Sequence, residues 1–592
     1  MGDYAILTWR PDDQAARAPL QCAQAALRRL GLELAAVRPG FEAWRSSLGP
    51  PSLWLSPDEG GVVVGQVFGS IQEAWRADPL DCARALGRET WGRYVAVFRD
   101  QAGPARAFFR DPSGGLEALA WRCGALTVVA SDLDALLEAA PPHDLAVDWS
   151  LLGAALADRL ALAGRCPLRG VDAATPGALR WLDGSGEVMA WSPGAFAREA
   201  RPDSPEARRG LVEAVDRAVA SLARRGPPLM AEVSGGLDSS IVASALAARP
   251  EIHVAQWLHY FVEDPAADER RYARATARQL GLALTEAPKS GAGLDLATLS
   301  RTAKAIRPSG ANADAHYDRD IAERARTLGA AQLFTGLAGD TVFMSGGGAL
   351  VAADAYWRRP FWSAGLAPSL SVARRVHGSV WSIWRQAQAA RFGWAVRSEP
   401  SPPRHLASRQ RAPALHGWLL DLDGVAPAKR RQVRHLALQV LVSGRTLRGQ
   451  VLDLVHPLLA QPVMETCLAL SVTALTHGGD DRAMAREAFR ERLAPEVRAR
   501  RSKGDLGRHY GRAIAEDLTA LRELLLDGCL VEAGLLDPTA LDELLTVETL
   551  IWKGPYREII EAVVLEQWAR SWTRRLAGLG PRPSPERLVE EV

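Results

Sequence analysis

The chain has 592 residues, 47% hydrophobic and 24% charged, which suits a globular protein of about two or three domains. Its 71 Lys and Arg are balanced by 69 Asp and Glu, a net charge of +2. That excludes a chain-wide field for nucleic acid or an acidic membrane and makes any anion site local. Six scattered cysteines (Cys22, Cys82, Cys123, Cys166, Cys467, Cys529) form no Cys-x-x-Cys pair, so they read as reduced core residues rather than zinc ligands or disulfides. With no apolar run of roughly 18 residues and an acidic Asp3 where a signal would be basic, the cytoplasm is the expected location and no membrane is expected as a partner.

From residue 1 to about 195, short strand-like runs at 4–8, 61–68, 94–98, 105–109, 126–130 and 177–182 are separated by turns such as Arg110-Asp111-Pro112-Ser113-Gly114, which predicts an antiparallel α+β domain. Beyond Trp191-Ser192-Pro193 the pattern changes. Strands at 229–233, 252–258 and 332–334 alternate with helices at 238–248, 268–280 and 315–328, which predicts a parallel sheet with helices on both faces and ligand sites at the C-terminal strand ends. The composition of 397–413, rich in Pro and basic residues, predicts a mobile loop. Helical patterns follow to about 578, then a Pro-rich tail, and no internal repeat is evident.

The most informative stretch is Ser234-Gly235-Gly236-Leu237-Asp238-Ser239-Ser240, between an apolar strand and a helix. Glycines let backbone N–H groups approach an anion, the first helical turn presents its free N–H groups, and hydroxyls add donors. No lysine ends the loop, so it is not the cradle that grips β- and γ-phosphates. A second loop, Thr335-Gly336-Leu337-Ala338-Gly339-Asp340, follows another strand, and a parallel sheet would bring Asp340 to the edge that carries Asp238. Two carboxylates beside a polyphosphate suit Mg²⁺, which takes oxygen ligands and keeps phosphate and water in its shell. Asp268 has the character of a helix N-cap.

Together these residues resemble the asparagine synthetase superfamily. Ser234–Ser240 matches its pyrophosphate loop, Asp268-Glu269 its helix start, and Thr335–Asp340 its second loop. His456-Pro457-Leu458-Leu459, Asp481-Arg482 and Arg501-Ser502-Lys503-Gly504 match its C-terminal region. Trp91–Phe98, Arg110–Gly114 and Ala130-Ser131-Asp132 resemble its glutaminase domain. The resemblance implies an α/β chain: an N-terminal glutaminase-like domain of the N-terminal-nucleophile type over 1–195, then a parallel-sheet ATP-pyrophosphatase domain with a helical C-terminal region over 196–592. It implies ATP and Mg²⁺ as cofactors, with Asp238 and Asp340 on the metal. Ser234, Gly235, Gly236, Leu237, Asp238, Ser239, Ser240, Leu258, Gly336 and Lys503 would be the nucleotide contacts. Lys503 would be catalytic with the two aspartates, its ammonium offsetting charge on the departing pyrophosphate and the oxyanion.

One departure bears on substrate. Glutamine-using members begin Met-Cys-Gly, whereas this chain begins Met1-Gly2-Asp3, so the N-terminal domain is expected to be a relic without a nucleophile. Relatives without that cysteine use an amine already in their substrate: β-lactam synthetases, and lasso peptide cyclases, which join a peptide's N-terminal amine to an Asp or Glu side chain. Where β-lactam synthetases carry a tyrosine that acts with a glutamate as base, this chain has Leu337, which cannot take a proton. The C-terminal motifs also resemble the cyclases more. The expected substrate is thus a precursor core peptide, with a leader peptidase and a leader-binding protein as possible partners and no nucleic acid. A small-molecule amide ligase, an amidating enzyme using free ammonia, a transfer-RNA-modifying enzyme and a scaffold subunit are the alternatives. Residues 307–316 should line the acceptor pocket through Arg307, Asn312 and His316, with an ordinary surface loop as the competing reading. Nineteen Trp against 12 Phe and 8 Tyr, several beside arginines between Tyr356 and Trp394, fit either a core or a peptide groove, and helix-spaced Trp381 and Trp384 fit the core better.

Overall fold

A computed structural model describes residues 2–46, 52–101, 103–224, 226–290, 293–309, 314–346, 348–357, 365–393, 405–406, 416–441, 444–500, 504, 506–552 and 556–578. The N-terminal half holds two stacked six-stranded sheets. In the first, Tyr4–Thr8 lies between Leu126–Ala130 and Phe41–Ser46, with Leu119–Cys123 and Val171–Ala173 outside the former and Leu32–Arg38 outside the latter. The second runs Glu187–Met189, Ala178–Trp181, Ala105–Arg110, Trp91–Arg99, Gly61–Phe68, Leu53–Leu55. All pairings in both are antiparallel.

Residue alternation explains why these strands are apolar throughout. Tyr4 and Ile6 point into the layer between the sheets with Val62, Val64, Val95, Val97 and Phe108, while Ala5 and Leu7 face an outer helical layer that includes Ala23, Leu27 and Leu136. Val63, Tyr94 and Phe98 pack under Cys82, Ala83 and Leu86 on the other side. Helix, sheet, sheet, helix is therefore the layering of this half. The strands at Leu32–Arg38, Phe41–Ser46, Leu53–Leu55, Leu119–Cys123, Val171–Ala173 and Glu187–Met189 were not evident in the sequence pattern.

The second sheet system is parallel throughout, in the order Leu284–Pro288, Val254–Phe261, Leu229–Glu232, Gln332–Phe334, Asp453–Val455. Alternation again divides its faces: Leu229, Ala231 and Phe334 pack with helices Pro205–Leu222 and Leu237–Ala247, whereas Met230, Leu258 and Leu333 pack with Ile321 and Ala325 of helix Ala315–Leu328. Helices then carry the chain to Gly578. The helix predicted from 268 begins at Arg270, with Glu269 rather than Asp268 as its cap residue; Asp268 accepts the Arg270 N–H at 2.9 Å and also pairs with the Arg270 side chain. Of the predicted 397–413 loop only His405 and Leu406 are described, Leu406 pairing with Leu536; the rest lies outside the described residues.

The two halves share buried contacts. Arg93 forms a bidentate ion pair with Asp453 on the parallel sheet's edge strand, at 3.0 and 2.7 Å. Trp568 and Trp572 of helix Tyr556–Gly578 both donate to the Ala305 carbonyl at 2.9 Å, within a core that also takes in the N-terminal helices. Among the described residues no helix is long and apolar enough to cross a membrane.

Candidate active site

The strands Leu229–Glu232 and Gln332–Phe334 are parallel neighbours, with Ala231 opposite Phe334. Their following loops therefore leave the same sheet edge side by side. In the first, Gly235 takes φ +81°, and a Cβ there would sit 2.8 Å from the Glu269 carbonyl oxygen. Ser234 and Ser239 lock the turn, the Ser234 N–H donating to the Ser239 hydroxyl at 3.1 Å with the two hydroxyls 2.9 Å apart. Helix Leu237–Ala247 starts there, with Asp238 in its first turn.

The second loop lies directly on the first. A Cβ on Gly336 would be 2.5 Å from the Ser239 backbone nitrogen, and one on Gly339 would be 2.3 Å from Cγ of Asp238. Ala338 adopts a left-handed φ of 72°, as do Met344 (66°) and Arg482 (49°), conformations that cost non-glycine residues about 1 kcal/mol or more each. The Arg482 N–H donates to the Met344 carbonyl at 3.3 Å. Strained backbone thus gathers at one point.

There the Arg482 guanidinium stands between the two aspartates: Nη1 donates to Asp238 Oδ2 at 2.9 Å and to Asp340 Oδ1, while Nη2 donates to Asp481 Oδ2 at 2.9 Å. The three carboxylates, Asp238 foremost, hold the Arg482 pKa above its ordinary value despite burial. Because both loop carboxylates reach one nitrogen, one cation can contact both. Among the described residues no group of three or more His, Cys, Asp or Glu could hold a metal ion. Two oxygen donors at the edge of an anion cradle fit Mg²⁺ arriving with a polyphosphate, whose oxygens and water would complete its shell.

These loops form one end of a cavity of about 520 Å³. Its other wall carries Glu232, Lys289, Asp314, Tyr317, Arg448 and Tyr510. Lys289 pairs with Asp314, and its ammonium lies 5.2 Å from the Tyr317 ring centre and 5.5 Å from that of Tyr510. Burial pulls the Lys289 pKa down, but Tyr510 and Asp314 more than offset it and leave it above the ordinary lysine value. Tyr317 donates its hydroxyl to Glu232. His456 Nδ1 is 2.7 Å from the Thr335 hydroxyl, tying the second loop to the next strand; burial, with Arg448 and Arg93 nearby, pushes its pKa down to about 4.

The asparagine synthase family profile matches residues 210–570, which contain both loops, the whole cavity lining and Arg482. The chain belongs to the asparagine synthase family. It is accordingly an ATP-dependent amide-forming ligase. No curated protein matches it. Among solved structures, the allosteric regulatory enzyme of purine biosynthesis is 12% identical over 50% of this chain and 82% of that one, at a TM-score of 0.19. The glutamine phosphoribosylpyrophosphate amidotransferase from B. subtilis, complexed with ADP and GMP, is 12% identical over 57% and 82%, at a TM-score of 0.17. Likeness at those scores carries no weight for the fold.

In this asparagine synthase family chain, the residues expected from sequence separate into two groups. Ser234, Gly236, Leu237, Asp238, Ser239, Gly336 and Asp340 line the cavity, as does Leu337. Three expected nucleotide contacts do not. The Ser240 hydroxyl turns back to the Gly236 carbonyl (2.8 Å) and to Thr276 (2.9 Å), Gly235 is covered by helix Arg270–Leu280, and Leu258 is buried in the core against helix Ala315–Leu328. Arg307 is also elsewhere: it pairs with Glu117 of the N-terminal half at 3.0 Å and donates to the Leu162 carbonyl. His316 Nε2 is hydrogen-bonded to the Gly293 carbonyl at 3.0 Å, outside the cavity lining. Asn312 and Lys503 lie outside the described residues. Trp381 is 61% exposed and Trp384 half-buried against the core, so one of that pair faces solvent; Arg358, Arg359, Trp362 and Trp394 lie outside the described residues.

Reading the sequence alone missed Glu232, Lys289, Tyr317, Arg448 and Tyr510, and assigned no role to Arg482. Only Arg482 carried a signal, as part of the Asp481-Arg482 motif.

The glycine contacts make a direct prediction. Gly336→Ala drives a methyl group against the Ser239 backbone, and the two loops must separate. A displacement of about 1 Å in a reacting geometry costs roughly 100-fold in rate, so ATP turnover should fall by about that factor while far-ultraviolet circular dichroism stays native. Wild-type turnover in this variant would show that loop contact is not needed.

Proposed function

We propose that this chain is a lasso peptide cyclase. It adenylates an Asp or Glu side-chain carboxylate of a precursor core peptide, and the peptide's own N-terminal amine then displaces AMP to close a macrolactam. The observation that carries the ATP chemistry is the apposition of Asp238 and Asp340 at Arg482, on a cradle with no lysine for a γ-phosphate. Leu337 at the cavity wall, together with the motifs around His456, Asp481 and Gly504, supports the peptide over a small amino-acid-like substrate.

The loop N–H groups after Ser234 orient the polyphosphate so that the substrate carboxylate meets the α-phosphorus in line with departing pyrophosphate. Asp238 and Asp340 would hold Mg²⁺, which when bound neutralises phosphate charge. Arg482 exchanges an aspartate for a phosphate oxygen as the anion enters, because three carboxylates already share its guanidinium. Lys503 supports the leaving pyrophosphate and the oxyanion. In this reading the chain acts in the cytoplasm with a leader peptidase and a leader-binding protein.

With linear peptides carrying a free N-terminal amine and one Asp or Glu at successive positions, the products should be AMP, pyrophosphate and a peptide lighter by one water. Chromatography of the nucleotide and mass spectrometry of the peptide decide it. ADP as product overturns the pyrophosphate-loop chemistry, and AMP formed only with amino-acid-like small molecules overturns the peptide.

A further inference from the structure

Closing an amide from an amine requires that the amine lose a proton as the C–N bond forms. Several groups on the cavity wall are poorly placed to accept it. Asp238 and Asp340 are engaged by Arg482, Asp314 is paired with Lys289, His456 is tied to Thr335 through Nδ1, and Leu337 has no basic atom. The Tyr510 hydroxyl is turned to Asp314 at 3.4 Å, which leaves Glu232 and Tyr317, hydrogen-bonded to each other. Glu232 ends the central strand two residues before Ser234, in register with Leu258, so the sheet holds its backbone at the mouth of the phosphate cradle. Tyr317 stands in the first turn of helix Ala315–Leu328, where its N–H bonds the cap residue Asp314 at 3.1 Å and its hydroxyl donates to the Glu232 carboxylate. The ring is fixed from three sides: the Lys289 ammonium at 5.2 Å, the Arg448 guanidinium at 4.9 Å and the Tyr260 ring at 5.0 Å between centres.

We propose that the Tyr317 hydroxyl and Glu232 form the proton relay of the amide-forming half-step, a role that rests on the ligase chemistry proposed above. The amine lone pair forms the C–N bond to the adenylate carbonyl, and the amine proton passes to the Tyr317 oxygen while Tyr317's own proton passes to Glu232. The carbonyl carbon–oxygen bond to AMP breaks, and AMP leaves with that electron pair. Glu232 then releases the proton to solvent. Tyr317 touches the reacting nitrogen; Glu232 acts through it as a positioning and accepting residue. The charged and titratable groups around the pair are Lys289 with Asp314, Arg448 with Asp318, and Tyr260 with Asp320. Burial raises the Glu232 carboxyl above its ordinary value, against the lowering effects of Tyr317, Arg448 and Lys289, which makes it a better acceptor near neutral pH.

Hydroxylamine separates the two half-steps, because it is uncharged at neutral pH and traps an acyl-adenylate without help from a base. With the same linear peptides, Tyr317→Phe and Glu232→Gln should leave hydroxamate formation within about threefold of wild type and lower cyclised product by about 100-fold or more. The wild-type cyclisation rate should fall as pH drops through the raised Glu232 pKa, and Glu232→Gln should lose that limb. Unchanged cyclisation in both variants overturns the relay, and so does a parallel loss of hydroxamate and cyclised product. A wild-type enzyme that yields no hydroxamate with any of the peptides instead overturns the ligase reading on which the relay rests.

Discussion

Asp238→Asn is expected to lower AMP formation by roughly 10²–10³-fold or more, the cost of losing one preorganised electrostatic contact at a reacting phosphate. The asparagine keeps the shape that lets Gly339 pack against the side chain but removes one of the three negative charges that meet at Arg482. The fold should survive, because Arg482 retains Asp340 and Asp481 and no buried cation is left uncompensated. A stability loss of about 1 kcal/mol, that of one hydrogen bond, is the expected scale. Asp340→Asn should behave alike. Two measurements check this: AMP formation across a Mg²⁺ titration, and electron paramagnetic resonance of Mn²⁺ added with ATP, where each variant should bind the metal more weakly. Normal rates at low Mg²⁺ in both variants would mean that the two loops hold no metal.

Lys503→Ala should cost orders of magnitude in rate with little change in melting temperature. Arg500 and Gly504, on either side of Lys503 in the chain, lie beside the first loop: Arg500 donates to the Gly235 carbonyl at 3.1 Å and pairs with Glu269, and the Gly504 N–H donates to Glu269 at 2.7 Å. A Cβ on Gly504 would lie 2.9 Å from that carboxylate, so the chain passes close against the start of helix Arg270–Leu280. A cation acting where charge develops serves the transition state more than the bound substrate. ATP affinity should therefore suffer less than turnover. Lys503→Arg should rescue in part, because a planar fork does not place its charge where a compact ammonium does. A solvated surface lysine, by contrast, would change stability by about 0.5 kcal/mol at most and leave the rate alone. Unchanged turnover in both variants would remove Lys503 from the chemistry.

Much of what depends on residues close together in the chain was legible beforehand. The run from Ser234 to Ser240 declares a strand, a glycine turn and a helix start within seven positions, and Thr335–Asp340 repeats the logic. Helices with a clear 3.6-residue period, such as Ala315–Leu328, were placed to the residue. Strands such as Leu32–Arg38, mostly exposed, and Leu53–Leu55, only three residues long, lack a sufficient apolar signal.

The sequence by itself determined the two Gly-rich loops, the strand–turn–helix form of the first and the aspartate that each carries, all within a few consecutive residues. Tertiary structure alone decided what surrounds them. In-register partners on parallel strands share a face, so Leu258 and Glu232 lie on the same side of the sheet, and it took the packed structure to show that Leu258 is buried against helix Ala315–Leu328 while Glu232 reaches the cavity. Helical geometry likewise turned Ser240 to Thr276, away from the phosphate side. Arg482 lies 244 residues from Asp238, and Tyr317 lies 85 from Glu232. Contacts at such separations leave no periodicity in the chain: they exist only because burial of the apolar faces of sheet and helices brings those side chains within hydrogen-bonding distance.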